Sequence, residues 1–116
     1  IAEDNAINQK VLTRILKNLG VRNIDIADNG EKAVAACSTT PYSLVFMDLQ
    51  MPIMDGLQAT KVIRSNGTYC NTKIVFCTAH ALEDFRQQVR DVGADGFISK
   101  PFNMKNISQC LQEHLL

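Results

Sequence analysis

The sequence lacks several features that would assign it to a particular class of protein. Its 116 residues, enough for one domain, include twelve basic and twelve acidic side chains. This balance gives no excess charge to favour nucleic acid or an anionic membrane surface. No apolar run approaches the length that spans a bilayer, and no charged segment leads into an apolar signal sequence. We therefore expect a soluble, cytoplasmic domain that contacts neither nucleic acid nor membrane directly.

Cysteine and histidine patterns typical of structural metal sites are also missing. The four cysteines are Cys37, Cys70, Cys77 and Cys110. They form no C-x-x-C pair, and neither His80 nor His114 lies at a zinc-like spacing. We predict that these thiols are buried and reduced, as is usual in an intracellular protein.

Two hydrophobic periods alternate along the chain. Strand-like apolar segments lie at 24–27, 44–47, 74–77 and 96–99. Apolar residues at helical spacing predict helices within 11–19, 31–37, 57–64, 82–92 and 104–115. Alternating strands and helices predict an α/β fold, in which parallel strands are joined by right-handed crossovers and helices cover both faces of the sheet.

Polar residues stand where the predicted strands end. Glu3 and Asp4 lie near the start of the chain, Asp48 directly follows a fully apolar run, and Thr78 and Lys100 follow two later strands. Each of these residues alone would be an ordinary cap, turn residue or solvated charge. In a parallel sheet, however, the carboxyl ends of the strands share one edge, so we expect all five side chains to meet there.

The chemistry of this set predicts phosphoryl transfer with a divalent cation. Three crowded carboxylates repel one another unless a cation lies among them, and Mg²⁺ prefers oxygen ligands. The Lys100 ammonium and the Thr78 hydroxyl are suited to holding the oxygens of a phosphoryl group. An aspartate such as Asp48 can itself be the nucleophile and form an acyl phosphate.

Four motifs carry a resemblance to a known family. They are Ala2–Asn5 (AEDN), Met47–Gly56 (MDLQMPIMDG), Thr78-Ala79 and Ser99–Phe102 (SKPF). In order and spacing they resemble the receiver domain of two-component response regulators (CheY-like), and the whole chain is most similar to receivers of hybrid sensor histidine kinases. The resemblance implies a flavodoxin-like, doubly wound, five-stranded parallel sheet with helices on both faces.

The resemblance also implies an organisation for the protein. Residues 1–116 would form a single receiver domain, with a first strand clipped at the N-terminus because only Ile1 and Ala2 precede the acidic pair. The chain would then be a fragment of a longer multidomain protein, which could be a hybrid histidine kinase. That parent protein could be anchored in a membrane, with this domain on the cytoplasmic side. The domain itself would catalyse only its own phosphorylation and dephosphorylation.

Individual roles follow from the resemblance. Asp48 would accept a phosphoryl group from a phosphohistidine, and Lys100 would pair with Asp48 before phosphorylation and with the phosphoryl group afterwards. Mg²⁺, with Mn²⁺ as a substitute, would bind Asp48, Asp4 and the main-chain carbonyl of Gln50 directly and Glu3 mainly through water.

The resemblance further implies a switch and a partner. Thr78 would move towards the phosphoryl group, and Phe97, which stands where tyrosine is commoner, would follow it inward and change the partner surface. His80 would tune loss of the phosphoryl group. The partner would be a histidine-containing phosphotransfer protein or a histidine kinase domain, and the resemblance leaves the oligomeric state open.

Two functions of other classes remain as alternatives. A phosphohydrolase could use the same nucleophile and cation, but such enzymes carry a second aspartate two residues after the nucleophile, where this chain has Gln50. A flavodoxin-like module would bind a flavin phosphate through a loop after the first strand, but residues 3–5 there are Glu-Asp-Asn, which would repel it.

Overall fold

The computed structural model describes residues 1–40, 42–65, 72–78, 91–100 and 102–114. Within these ranges the elements are α1 (Ala6–Asn18), α2 (Gly30–Thr39), β1 (Leu44–Asp48), α3 (Gly56–Ser65), β2 (Lys73–Thr78), β3 (Gly96–Ser99) and α4 (Met104–His114). Cys70, His80 and most of the helix predicted within 82–92 lie outside the described residues.

The strands form a parallel sheet in the order β1-β2-β3. The sheet continues beyond β1 through Ala2, which forms parallel bridges to Met47 on one side and Ala27 on the other. Five chain segments therefore lie side by side, and numbering them along the sequence gives the flavodoxin-like order 2-1-3-4-5. This arrangement confirms the predicted α/β class and doubly wound topology.

The first two predicted strands are much shorter than the other three. Among the residues of the predicted strand at 24–27, only Ala27 forms a bridge. Its hydrogen bonds join the Ala27 backbone to Ile1 (N···O 2.8 Å) and to Glu3 (O···N 2.9 Å).

Alternate strand residues pack on opposite faces of the sheet. One core layer joins the sheet to α2 and α3 and contains Val45, Met47, Ile74, Phe76, Ala33, Cys37, Ala59 and Ile63. The other joins the sheet to α1 and α4 and contains Phe46, Val75, Cys77, Ile98, Leu12, Leu16, Ile107 and Cys110. Helices thus cover both faces, which explains why the central strands carry apolar residues on both faces, at 44–47 and 74–77. The three described cysteines are free and buried, as predicted.

An asparagine or aspartate begins each described helix. Asn5 accepts hydrogen bonds from backbone N–H groups in the first turn of α1, and Asn29, Asp55 and Asn103 do the same for α2, α3 and α4. These side chains satisfy donors that have no partner within the helix. In the described parts of the chain, we find no helix with the length and apolar character needed to cross a membrane.

Arg64, near the C-terminus of α3, joins three segments at the amino end of the sheet. Its guanidinium donates to the carbonyl oxygens of Thr72 (2.7 Å) and Gly93 (3.0 Å) and to the carboxylate of Asp95 (2.7 Å). The same Asp95 oxygen accepts a bond from the backbone N–H of Ile74 at 2.8 Å. Arg64 therefore fixes the starts of β2 and β3 relative to α3.

We predict that Arg64→Ala lowers the free energy of unfolding by about 2 kcal/mol, because the Thr72 carbonyl and the Asp95 carboxylate would lose their shared donor. Arg64→Lys should recover less than half of this loss, since an ammonium cannot present the same planar fork of donors. Urea unfolding would measure both changes, with Arg14→Ala on the exposed face of α1 as the control. Equal stability of Arg64→Ala and the unmodified chain would contradict this role.

Candidate functional site

A cleft of about 310 Å³ opens where the carboxyl ends of the strands meet. Its lining residues are Glu3, Asp4, Asn5, Asn8, Asp48, Gln50, Thr78 and Lys100. The side chains predicted for catalysis and metal binding therefore come together at one edge of the sheet. Phe97, predicted to belong to the switch, lies outside this lining and packs half-buried against the core layer of α2 and α3.

The Lys100 ammonium lies between two carboxylates from different strands. Its Nζ atom is 2.8 Å from Glu3 Oε2 and 3.3 Å from Asp48 Oδ1. The side chains of Glu3, Asp48 and Lys100 are only 3%, 8% and 14% exposed, so water screens these charges poorly. The resemblance implied Asp48 as the resting partner of Lys100, but the shorter contact is to Glu3.

Glu3 is held by the beginning of α1 as well as by Lys100. Its Oε1 atom accepts hydrogen bonds from the Asn5 backbone N–H (3.2 Å) and from Asn8 Nδ2 (3.4 Å). Its main-chain oxygen accepts a bond from Gln9 Nε2 at 2.6 Å. Asn8 and Gln9 were not among the residues predicted to lie at the site. Their place in the first turn of a helix that starts directly after the acidic pair could have predicted these contacts.

Three carboxylates are close enough to share a cation. Ligand oxygens of Glu3, Asp4 and Asp48 all lie within 4.8 Å of one another. Glu3 and Asp48 are buried and Asp4 is exposed, so Asp4 forms the solvent side of the group. A set of carboxylate oxygens that leaves room for water fits Mg²⁺, which usually keeps several water ligands.

Burial makes Asp48 harder to ionise. Loss of solvent raises its pKa from the ordinary 3.8 to about 6, and repulsion from Glu3 adds to the rise. Lys100 and the Gln50 backbone N–H, 3.4 Å from Asp48 Oδ1, partly oppose it. Burial also disfavours the charged form of Lys100, but its two carboxylate partners outweigh this effect and raise its pKa. The Lys100 ammonium is therefore a permanent positive charge at neutral pH.

Thr78 and Lys100 are positioned by one backbone contact. Thr78 ends β2 and is buried, and its carbonyl oxygen accepts a hydrogen bond from the Lys100 N–H at 2.8 Å. The parallel ladder pairs Thr78 with Ser99, so Lys100 follows directly after the last pair. The hydroxyl and the ammonium thus enter the cleft from neighbouring strands.

The loop after β1 packs closely against the site. A Cβ atom at Gly56 would lie 2.2 Å from the main-chain oxygen of Asp48, and one at Gly30 would lie 2.2 Å from that of Met54. Larger residues at either position would push the loop outward. Within this loop, Ile53 has a φ of 71°. The N–H of Met54 donates a hydrogen bond to the main-chain oxygen of Pro52 at 2.7 Å. This strained γ-turn costs a residue such as isoleucine roughly 1–2 kcal/mol.

The family model for the response regulator receiver domain matches residues 1–112. The chain belongs to the response regulator receiver domain family. This receiver domain is 34% identical over 141 residues to histidine kinase 5 of Arabidopsis thaliana, a match that covers 99% of the chain but 15% of that kinase. The predicted family and its place in two-component signalling are thus confirmed. The family match does not support the phosphohydrolase and flavin-binding alternatives.

Solved receiver domains have the same fold. The receiver domain of sensor histidine kinase PA1611 from Pseudomonas aeruginosa, with magnesium coordinated in its active-site cleft, superposes with a TM-score of 0.90 at 31% identity. That match covers 98% of this chain and 93% of the other. The receiver domain of Saccharomyces cerevisiae Ssk1, in complex with the histidine phosphotransfer protein Ypd1, gives 0.89 at 28% identity, covering 97% and 84%.

We predict that Asp48→Asn stabilises the fold at pH 7 in the absence of divalent cations. The pKa of Asp48 is higher in the folded chain, so its ionisation penalises the folded state above about pH 6 and has no effect below pH 3.8. Two pKa units correspond to roughly 3 kcal/mol, so we expect a gain of about 1–3 kcal/mol at pH 7 that disappears as the pH falls from 6 to 4.

Chemical denaturation in buffer with a chelator would measure this gain across the pH range. Asp28→Asn is the matched control, because that carboxylate is 54% exposed and its removal should leave the pH profile unchanged. An Asp48→Asn variant that is less stable than the unmodified domain at pH 7 would contradict the electrostatic account.

Proposed function

We propose that this receiver domain accepts a phosphoryl group from a phosphohistidine onto Asp48. The observation that carries the proposal is the placement of the Lys100 ammonium 3.3 Å from Asp48, inside a cleft that also holds Glu3, Asp4 and Thr78. A buried nucleophile beside a fixed positive charge and a hydroxyl is equipped to stabilise a transferring phosphoryl group.

The transfer would need no separate base. A carboxylate oxygen of Asp48 forms the new bond to phosphorus while the bond from phosphorus to the histidine nitrogen breaks. The electron pair of that bond stays on the imidazole, which takes up a proton from solvent as it leaves. Because the pKa of Asp48 is about 6, most of the carboxyl groups are already ionised at neutral pH. Lys100 would follow the charge onto a phosphoryl oxygen, and Thr78 would donate its hydroxyl to another.

We also propose Mg²⁺ as the cofactor, with Mn²⁺ as a substitute. The carboxylates of Asp4 and Asp48 and the main-chain carbonyl of Gln50 would bind the cation directly, and Glu3 would act mainly through water. When bound, the ion would offset the repulsion among the carboxylates and neutralise charge on the phosphoryl oxygens. The mutual distances of the three carboxylates support this assignment.

The proposed switch would begin at Thr78. This residue is buried at the end of β2, so a move of its hydroxyl towards a phosphoryl group would leave space beside the strand. Phe97 lies opposite Phe76 in the adjacent strand and is only half-buried, so an inward rotation would increase its burial. Such a change would shift the balance between two existing surface states.

For the parent protein we propose a hybrid histidine kinase or a related multidomain regulator. Support comes from the small fraction of histidine kinase 5 that the chain spans, namely 15%. The partner would be a histidine-containing phosphotransfer protein or a histidine kinase domain, as in the Ssk1 complex. The free, buried thiols of the described residues agree with a cytoplasmic location.

The transfer can be tested with a radiolabelled, phosphorylated histidine-containing phosphotransfer protein. We expect the domain to take up label in the presence of Mg²⁺ and to lose it in alkali, as acyl phosphates do. Asp48→Asn should abolish labelling because it removes the nucleophile and keeps the shape. Asp55→Asn is a control from the same loop that should still be labelled, since an amide oxygen can also cap α3. Label that persists in Asp48→Asn would exclude Asp48 as the acceptor.

The metal assignment predicts that Asp4→Asn weakens Mg²⁺ binding by at least about tenfold, because the cation would lose a charged ligand. Labelling by the phosphotransfer protein should slow in the same variant. Isothermal titration with Mg²⁺ alone would measure the affinity. Glu113→Gln, near the C-terminal end of α4, removes the same charge at a distance and should leave the affinity within twofold. Unchanged affinity in Asp4→Asn would count against a direct ligand role.

A further inference from the structure

Asn8 occupies a helix position that the helix itself does not explain. It is the third residue of α1, which begins at Ala6 after the N-cap Asn5. A glutamate or glutamine at this position commonly turns back to the backbone N–H of the N-cap residue. The Asn8 side chain instead contacts Glu3, with Nδ2 3.4 Å from Oε1. Asn8 therefore serves a contact outside its own helix.

The charge of the site explains why this side chain is an amide. The cleft that Asn8 lines also holds the carboxylates of Glu3, Asp4 and Asp48. A glutamate at the same helix position would add a fourth negative charge and increase the repulsion among them. An amide is uncharged and offers two N–H donors. Asn8 can thus bind a buried carboxylate without adding to the charge of the cleft.

The two oxygens of the Glu3 carboxylate have different partners. Oε1 accepts hydrogen bonds from the Asn5 N–H and from Asn8, whereas Oε2 lies 2.8 Å from Lys100 Nζ. The Glu3 side chain is only 3% exposed, so water can hardly replace a lost donor. Gln9 Nε2 also holds the main-chain oxygen of Glu3 at 2.6 Å. The start of α1 therefore holds Glu3 with Oε2 turned towards Lys100.

We propose that Asn8 is a positioning residue for phosphoryl transfer, which acts on Lys100 through Glu3. This inference rests on the proposed function and adds a residue to its machinery. Before transfer, Asn8 keeps the Glu3 carboxylate oriented so that Lys100 stays 3.3 Å from Asp48. When Lys100 follows the charge onto a phosphoryl oxygen, the Asn8 amide still donates to Glu3. The buried carboxylate is then not left without a donor, which would be strongly destabilising.

The first test measures transfer from a radiolabelled, phosphorylated histidine-containing phosphotransfer protein in the presence of Mg²⁺. Asn8→Ala should lower the transfer rate at saturating donor by about three- to tenfold, as expected for the loss of one hydrogen bond. The half-saturating donor concentration should change by less than about twofold, because the residue orients Lys100 and does not bind the donor. Asn8→Gln keeps the amide on a longer side chain and should recover at least half of the loss.

Asn106→Ala is the matched control for this substitution. Asn106 is the third residue of α4, as Asn8 is of α1, and it is exposed. Its replacement should leave the transfer rate unchanged. Thermal unfolding should show both alanine variants folded at the assay temperature, because alanine favours a helix more than asparagine does. A slower rate in Asn8→Ala alone then reflects the site.

The route through Glu3 is tested by repeating Asn8→Ala in a Glu3→Gln background. A glutamine has one carbonyl oxygen, so it cannot accept bonds from Asn8 and Lys100 on opposite oxygens. If Asn8 acts through Glu3, its replacement in this background should slow the remaining transfer by less than about 1.5-fold. An equal loss in both backgrounds would show that Asn8 acts directly on the donor or the phosphoryl group, and would overturn the inference.

A second measurement does not depend on transfer. The ¹H–¹⁵N NMR signal of a lysine ammonium is sharp only while its protons exchange slowly with water, as they do in a buried ion pair. In buffer with a chelator, we expect a sharp Lys100 signal in the unmodified domain and in Asn106→Ala. The signal should broaden in Asn8→Ala, because the Glu3 carboxylate is no longer held. An unchanged signal there would exclude control of Lys100 by Asn8.

The two measurements distinguish failure of this inference from failure of the proposed function. Intact transfer in Asn8→Ala would overturn the inference and leave the proposed function standing. Absence of label from the unmodified domain would reject the proposed function, and with it any role of Asn8 in transfer. The Lys100 signal would still show whether Asn8 holds the ammonium through Glu3.

Discussion

The arrangement of the site depends on one ammonium group that is shared by two buried carboxylates. Lys100 Nζ contacts Glu3 at 2.8 Å and Asp48 at 3.3 Å in surroundings that water hardly reaches. Two buried carboxylates without this ammonium would carry uncompensated charge, which is strongly destabilising. Even with it, burial and the repulsion from Glu3 raise the pKa of Asp48 to about 6. Keeping this carboxylate ionised at neutral pH therefore lowers the stability of the folded state.

Glu3 connects this charge balance to the first helix. One of its carboxylate oxygens binds Lys100, and the other accepts bonds from Asn5 and Asn8 at the start of α1. The ion pair joins residues that are 97 positions apart in the chain. Any event that draws Lys100 towards Asp48 thus changes the interactions of Glu3, and through Glu3 those of α1. The proposed switch begins on a different strand, at Thr78, but it meets this connection directly, because the Thr78 carbonyl oxygen accepts a hydrogen bond from the Lys100 N–H at 2.8 Å.

The two ends of the sheet serve different purposes. At the amino end, Arg64 satisfies backbone carbonyls and one carboxylate and holds α3 against the starts of two strands. At the carboxyl end, a buried acid and a strained Ile53 lower stability near the proposed chemistry. Such strain persists only where the surrounding structure holds it in place. At the Ile53 loop, backbone hydrogen bonds from the Gly30 N–H to the Met54 oxygen and from the Gly56 N–H to the Leu49 oxygen, both 3.0 Å, supply that support.

Much of the fold and most of the site follow from the sequence alone. Hydrophobic period reports whether a segment is strand or helix, and parallel strands bring their carboxyl ends to one edge whatever the details of packing. The convergence of Asp48, Thr78 and Lys100 was therefore predictable, and the family motifs added the receiver fold. The preference of Lys100 for Glu3 was not, because it rests on a difference of half an ångström between two contacts set by the packing of separate strands. The single bridge at Ala27 and the left-handed backbone of Ile53 could not be predicted from the sequence either. A local sequence pattern does not specify the strand partners or backbone conformations that tertiary packing imposes.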